Sequence, residues 1–475
     1  MQLKRVVFLL FYSFILIACV PKINKIDSLN EVEISNELKS FNTNNNDELS
    51  IKWWEYFQDT QLNFIVDKAL NESFSLKSIE QRYEKANSVI KSIEAENLPS
   101  ISFESDITRE RFSANHIFPA PLGGGIFTEY HSAIALNYKF DFWDERKSRI
   151  KSAINKAIAQ KALIEESKLN LSLQITQLYL SWNFNERKIE QSERIVSILN
   201  DELIILNQKY KSGLIDEVTL NNKKAQIFQM NKNIYSIKEI IKGEKSTICI
   251  LAGFTPSFIE SLNKPNINSS IDLNLPKDIH LNLLSNRADV IIQKYIVLSN
   301  EQNINVAVAK FYPDINLSGL TGFTSFDSSE FLTKSSSVPS FGVAVNLPIF
   351  DGGKREANLD EKVIDYNSSI YEYNNTINKA VNEVVGVLKK IEYKNLQLDM
   401  HEKKLKAKET NEQILNKKFA IGLSDKLPYL DSQIDTLLNH ISQFDLIKSH
   451  TQLQLELIKA LGGGFKEESI KNGNS

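Results

Sequence analysis

Hydrophobic positions follow two periods along this chain. From Asp144 to Ser212 there is neither Gly nor Pro, and the apolar residues Val196, Leu199, Leu203, Leu206 and Tyr210 are spaced 3, 4, 3, 4. Ile227, Met230, Ile234, Ile237 and Ile241 repeat that spacing, as do Leu427, Leu430, Ile434, Leu437, Ile441 and Phe444. Apolar residues every 3.5 positions predict long helices packed as coiled coils. Gly213 and Gly422 then read as helix C-caps between antiparallel partners. The stretch after Gly386 is also free of Gly and Pro up to Gly422. Four other segments alternate with period two. Ile101, Phe103 and Ile107 alternate with Ser102, Glu104, Asp106 and Thr108. Tyr130, Ile134, Leu136, Tyr138, Phe140 and Phe142 share one face, as do Ile315, Leu317 and Phe323, and Phe341, Val343, Val345, Leu347 and Ile349. These are expected strands with one apolar, aromatic-bearing face. Periodicity alone allows a half-buried soluble sheet and a membrane barrel equally.

The chain repeats itself. Leu98-Pro99 answers Tyr312-Pro313, Phe142-Trp143-Asp144 answers Ile349-Phe350-Asp351, Gly213-Leu214 answers Gly422-Leu423, and Ala252-Gly253 answers Leu461-Gly462. The pairs lie 214, 207, 209 and 209 residues apart. Each half reads helix, strand, strand, very long helix, Gly turn, long helix. The expected fold class is mainly α with a β portion, a β membrane portion on the second of those two readings, and an internal duplication. The expected segments are a signal peptide at 1–18, a lipid-anchored extension at 19–60, a first repeat at 61–253, a linker at 254–281, a second repeat at 282–463 and a tail at 464–475.

Four strands cannot close a barrel around a pore, and lipid does not tolerate open sheet edges. If these strands span a membrane, several copies share one barrel.

Composition narrows the class. The 475 residues carry a net charge of −3, so no basic field points to nucleic acid. Lys4 and Arg5 precede the apolar run Val6–Ile17, a secretion signal too short to span a bilayer comfortably. Leu16-Ile17-Ala18-Cys19 resembles the lipobox of bacterial lipoproteins, which makes Cys19 the expected acylation site. Several acyl chains at ~0.8 kcal/mol per buried CH₂ anchor stably where one does not. Only Cys249 remains, in an apolar helical stretch, and it reads as a buried inert thiol. No His-Glu-x-x-His, Walker loop, paired Cys or Gly-x-Ser-x-Gly is present, and the six His are scattered. No catalysis, cofactor or metal site is expected.

The order of motifs resembles the outer-membrane factor (TolC-like) family, in its lipoprotein branch serving resistance-nodulation-division efflux pumps. The resemblance rests on Trp53-Trp54-Glu55-Tyr56-Phe57, Asp59, Leu62 and Ala69-Leu70, and on Leu98-Pro99. Its most specific stretch runs through Leu275-Pro276, Leu284, Arg287-Ala288-Asp289-Val290, Ala307-Val308-Ala309, Phe311-Tyr312-Pro313-Asp314-Ile315 and Leu317-Ser318-Gly319. Pro348-Ile349-Phe350-Asp351-Gly352-Gly353-Lys354 and the segment from Gly422 to Asp431-Ser432-Gln433 complete it. Ala288 stands where the family usually has Pro, and Asp144 where it usually has Gly.

The resemblance implies a homotrimer. Each copy gives four strands to a shared twelve-stranded β-barrel and helices to a periplasmic α-barrel, which meets a periplasmic adaptor and an inner-membrane pump. It places Asp431 at a periplasmic gate. Asp425 is a second candidate, which helix capping explains equally well. Pro428 stands where some members carry a further aspartate. Gly213, Leu214, Asp216, Gly422, Leu423 and Ser424 are the expected adaptor-contact tips. A protein-secretion duct of the same fold and a non-porous coiled-coil scaffold lipoprotein are the competing readings.

Overall fold

A computed structural model describes residues 50–115, 117, 119–255, 257–267 and 286–467. The expected signal peptide, Cys19, and Leu275, Pro276 and Leu284 lie outside them. In order the elements are α1 (Thr60–Glu72), α2 (Phe74–Ala95), β1 (Ser100–Arg111), β2 (Ile126–Phe140), α3 (Glu145–Lys211), α4 (Glu217–Ala252), the short α5 (Phe258–Ser261), α6 (Ala288–Ala309), β3 (Asp314–Ser325), β4 (Ser340–Asn346), α7 (Lys354–Ala420) and α8 (Lys426–Ala460). Helices α3 and α7 are each 67 residues long, or about 100 Å at ~1.5 Å per residue. Their first residues lie 209 positions apart, the same offset as their closing glycines.

The chain forms two compact units. The first holds residues 83–159 and 293–373 and contains the sheet. Its four strands pair antiparallel in the order β1-β2-β3-β4, which leaves β1 and β4 as edges. The register puts Ile101 opposite Leu136, and Leu136 opposite Gly319, which faces Phe341. Phe140 meets Ile315, which meets Val345. The apolar residues of all four strands therefore share one face. The expected strand ending at Ile349 stops at Asn346 instead, two residues before Pro348, which has no N–H for the ladder. Strand β2 begins four residues earlier than the Tyr130 alternation suggests, at Ile126 opposite Arg111. Beneath the sheet, Ile304 and Ala307 pack on Leu359 and Val363, and Ser152 bonds Ser299 at 2.8 Å.

The two strand-to-helix bends use one backbone sign and different residues. Gly352 and Gly353 have φ of 69° and 86°; Asp144 takes φ 55°. Asp is among the few L-residues that adopt this left-handed region readily. Asp141 completes the first bend by accepting bonds from the amides of Arg146 and Lys147, both at 3.1 Å.

The second unit holds the described parts of 50–82, 160–292 and 374–467. Its largest core gathers Trp53, Trp54, Phe57, Ile65, Ile175, Tyr179, Trp182, Ile248 and Leu455. The Asp59 side chain caps α1, accepting from the Leu62 amide at 2.8 Å and from the Tyr179 hydroxyl at 3.0 Å. Burial pushes the Tyr179 phenol well above its ordinary range, with the Asp59 charge adding to it. Cys249 is buried, and burial raises its thiol, as an inert core residue requires.

Arg287 closes the end of α8. Its guanidinium donates to both carboxylate oxygens of Asp289 at 3.0 and 2.7 Å, to Glu383 at 2.9 Å and to the Ala460 carbonyl at 2.9 Å. These acidic partners hold it firmly protonated against the cost of burial.

Candidate functional site

The candidate residues gather in two regions: a sheet with one apolar face and the turns that close the long helices. In the sheet unit the apolar face is open. Ile101, Phe103 and Phe341 are 69%, 70% and 78% exposed in the single chain. A twelve-residue strand rises about 40 Å, or about 28 Å along the membrane normal when tilted by ~45°. That matches the ~25 Å apolar band of an outer-membrane barrel. The opposite face carries Ser102, Glu104, Asp106, His131, Asn137, Lys139, Asn316 and Thr324. On it His131 Nδ1 and Thr324 Oγ1 lie 3.0 Å apart, and Lys139 pairs with Glu145 and Asp314, both at 2.8 Å. No helix among the described residues is long and apolar enough to cross a membrane.

In the helical unit both turns are built alike. The Gly213 amide donates to the Tyr210 carbonyl and Leu214 to that of Lys209, both at 2.9 Å, with Gly213 at φ 72°. Gly422 donates to Phe419 at 3.0 Å and Leu423 to Lys418 at 2.8 Å, with φ 76°. These bonds define the Schellman motif, and its left-handed residue is why glycine stands there. Leu214 and Leu423 project as exposed apolar tips, 73% and 74% accessible. Each turn ends in an aspartate cap. Asp216 accepts from the Thr219 amide at 2.9 Å and hydroxyl at 2.6 Å. Asp425 accepts from the Lys426 amide at 2.7 Å. Ser424 Oγ donates to the Asp425 carbonyl at 3.2 Å.

The caps differ in their charged surroundings. Lys209, at the end of α3, pairs with Asp425 and with the cap amides holds its carboxyl below the ordinary value. Asp216 is lowered by Thr219 alone of the side chains. Six residues past Asp425, Asp431 remains exposed, with Lys223 Nζ 3.9 Å away. The same Nζ lies 2.7 Å from Glu202, which is fully buried. Burial pushes the Glu202 carboxyl up and Lys223 pulls it partly back. One α4 lysine therefore stands between a buried α3 carboxylate and an exposed α8 carboxylate.

The structure thus brings Asp425 and Asp431 each to a lysine of the first half. Sequence reading singled out neither lysine, nor Glu202. A signal was present: Glu202 sits between Leu199 and Leu206, and Lys223 between Leu220 and Ile227, at the 3, 4 spacing of buried positions. Two opposite charges on inward stripes of adjacent helices mark a buried pair. Among the described residues no cluster of His, Cys, Asp or Glu is arranged to hold a metal.

This arrangement, an apolar-faced sheet joined to paired helices with capped tips, is that of an outer-membrane channel. The family model described as outer membrane efflux protein matches residues 65–239 and 282–463, and the chain belongs to that family. It is similar to the multidrug resistance outer membrane protein MdtP of Escherichia coli K12, with 24% identity over 426 residues, covering 87% of this chain and 86% of that one. Its backbone is similar to the crystal structure of the Campylobacter jejuni CmeC outer membrane channel, with TM-score 0.85, 21% identity and coverage of 95% and 97%. The Vibrio cholerae outer membrane protein VceC matches with TM-score 0.78 and 24% identity, over 88% of this chain and all of that one. The protein is an efflux protein of the outer membrane.

Proposed function

We propose that the chain is the passive exit duct of a tripartite multidrug efflux system, working as a homotrimer and catalysing no reaction. The observation that carries this reading is the open sheet: four strands share an apolar face, while the outer edges of β1 and β4 pair with no strand among the described residues. Lipid tolerates no unpaired edge, so β4 of one copy pairs with β1 of the next until the barrel closes. Three copies give twelve strands. The long helices then form the periplasmic tube, and the Gly213 and Gly422 turns face an adaptor that links the duct to an inner-membrane pump. Leu214 and Leu423, exposed on rigid turns, are suited to such a contact, with Asp216 and Ser424 beside them.

The N-terminal region fits the same assignment. Residues 1–18 are the signal peptide and Cys19 carries the acyl anchor. The first repeat spans 61–253 and the second 282–463, with 254–281 as the linker between them.

Asp431 supplies the gate charge. Three copies around a narrow lumen make an acidic constriction, which favours cations. Asp425 is occupied by its cap and by Lys209, and contributes less. The test is conductance in planar bilayers, comparing the native protein with Asp431→Ala. The expected result is a lower preference for cations in the variant. Identical selectivity and conductance would remove Asp431 from the gate.

A further inference from the structure

Just below the sheet, the first unit has an open groove of about 320 Å³ between the start of α3 and the end of α6. Its lining includes Trp143, Lys147 and Lys151 from one side and Gln302, Asn305 and Tyr312 from the other. Lys147 and Lys151 are four apart on α3 and form one stripe, and Trp143 lines the groove from the bend that precedes the helix. Trp143 lies three residues beyond β2 and Tyr312 two before β3, so the groove begins where the strands end. The two rings stack with centroids 4.6 Å apart, and Trp143 Nε1 donates to the Pro313 carbonyl at 2.8 Å. A Trp–Tyr pair fixed at the end of membrane strands marks the interfacial layer.

The charge suits an anion. Lys147 shares its charge with Asp144 at 3.3 Å, and Lys151 has no ion pair among the described residues. One positive charge is left over, beside two amide side chains. The side of the sheet is also fixed. Glu145 bonds Lys139, which belongs to the polar face. At ~100° per residue, Lys147 and Lys151 lie roughly 200° and 240° around α3 from Glu145. They therefore face the apolar side, where Phe140 and Ile315 pair immediately above the groove.

We propose that this groove holds the phosphodiester headgroup of a glycerophospholipid from the periplasmic leaflet of the outer membrane. Lys151 and Lys147 meet the phosphate, Gln302 and Asn305 donate to its oxygens or to the glycerol esters, and the acyl chains lie along Phe140, Ile315 and Leu317. Trp143 and Tyr312 set the depth at which the headgroup sits. The inference rests on reading the sheet as membrane-spanning.

The test uses the full chain, extracted from outer membranes in non-ionic detergent and titrated with a diacyl phosphatidylglycerol under native mass spectrometry. The double variant Lys147→Gln/Lys151→Gln is expected to lose affinity by about tenfold or more. A control pair on α4, Lys224→Gln/Lys242→Gln, is expected to bind as the native protein does. Sodium phosphate at equal phosphate concentration is expected not to compete, which separates a lipid from a free anion. Lipids brominated on the upper acyl chain are expected to quench tryptophan emission in the native protein and less in Trp143→Phe. Equal lipid retention by the native and double-variant proteins would overturn the proposal. So would competition by phosphate, and so would absent Trp143 quenching, which would mean that a second copy covers the groove. Channel conductance is expected to be unchanged in the double variant, so failure here is distinguishable from failure of the duct reading.

Discussion

The turns at Gly213 and Gly422 have the same backbone and different electrostatics. Both use a left-handed glycine, two matching amide bonds and an aspartate cap. Only the second turn is followed by carboxylates that meet lysines of the other half: Asp425 with Lys209, and Asp431 with Lys223. A duplicated skeleton has thus divided its labour. At these two contacts the first half supplies the lysine and the second the exposed carboxylate. Whatever moves α8 must also deal with Lys223, which is anchored to buried Glu202.

The largest effect is expected away from the turns, at the opposite end of α8. Arg287→Ala leaves Asp289, Glu383 and the Ala460 carbonyl without their shared donor. Arg287 is buried while Asp289 and Glu383 keep contact with water, so losing its charge-assisted bonds should cost about 3 kcal/mol. The denaturant midpoint of the helical signal should fall accordingly, and an unchanged midpoint would show that the C-terminus of α8 is held by other contacts.

The two lysines should differ next. Lys223→Ala strands a buried carboxylate and should cost up to about 3 kcal/mol, while Glu202→Leu/Lys223→Met should restore most of the loss. Lys209→Ala acts on a half-exposed pair and should cost under about 1 kcal/mol. Equal losses at both sites would erase the distinction between an anchored and a surface lysine.

The pH dependence of the two carboxylates has opposite signs. Glu202 is raised above its ordinary 4.5. The folded chain therefore binds its proton more tightly, and stability from this site falls as pH rises from that value through the folded one. Asp425 is lowered from 3.8. Its contribution is present above that value and is lost as pH falls through the lowered one. Unfolding measured between roughly pH 3 and 7 should show Glu202→Gln removing a downward slope and Asp425→Asn removing a smaller upward one. A Glu202→Gln profile that parallels the native one would contradict the assignment.

Much of the helical unit was legible because its signal is local. Absence of Gly and Pro between Asp144 and Ser212, with 3, 4 apolar spacing, gives a helix within a residue of the observed Glu145–Lys211. Strand faces followed equally from alternation, since period two assigns every side chain to a side. Strand ends were less legible, because Pro348 ends the ladder through its missing N–H while the alternation continues to Ile349. Helix α7 begins well before Gly386 and runs through it at a cost of ~1 kcal/mol, offset by packing of Val384 and Val387. The partners of Asp425 and Asp431 were hidden because pairing across helices far apart in sequence leaves no local trace. Glu202 and Lys223 could have been flagged only as charges on inward stripes.

The smallest effect concerns the bends. Asp144 holds φ 55° where the second half uses glycine. Asp144→Gly should raise thermal stability slightly, by about 1 kcal/mol or less, because glycine adopts this region freely. A loss on substitution would mean that the Asp144–Lys147 pair outweighs the backbone gain.

The central claim is that copies of this chain complete one another's sheet around a lumen. Electron microscopy of the intact protein, extracted from outer membranes in mild detergent and viewed end-on and side-on, tests it most directly. The account predicts threefold particles with a central lumen and a long tube that narrows at the end away from the detergent belt. Single-chain rods, or particles with no lumen under conditions that keep a known trimer intact, would contradict it.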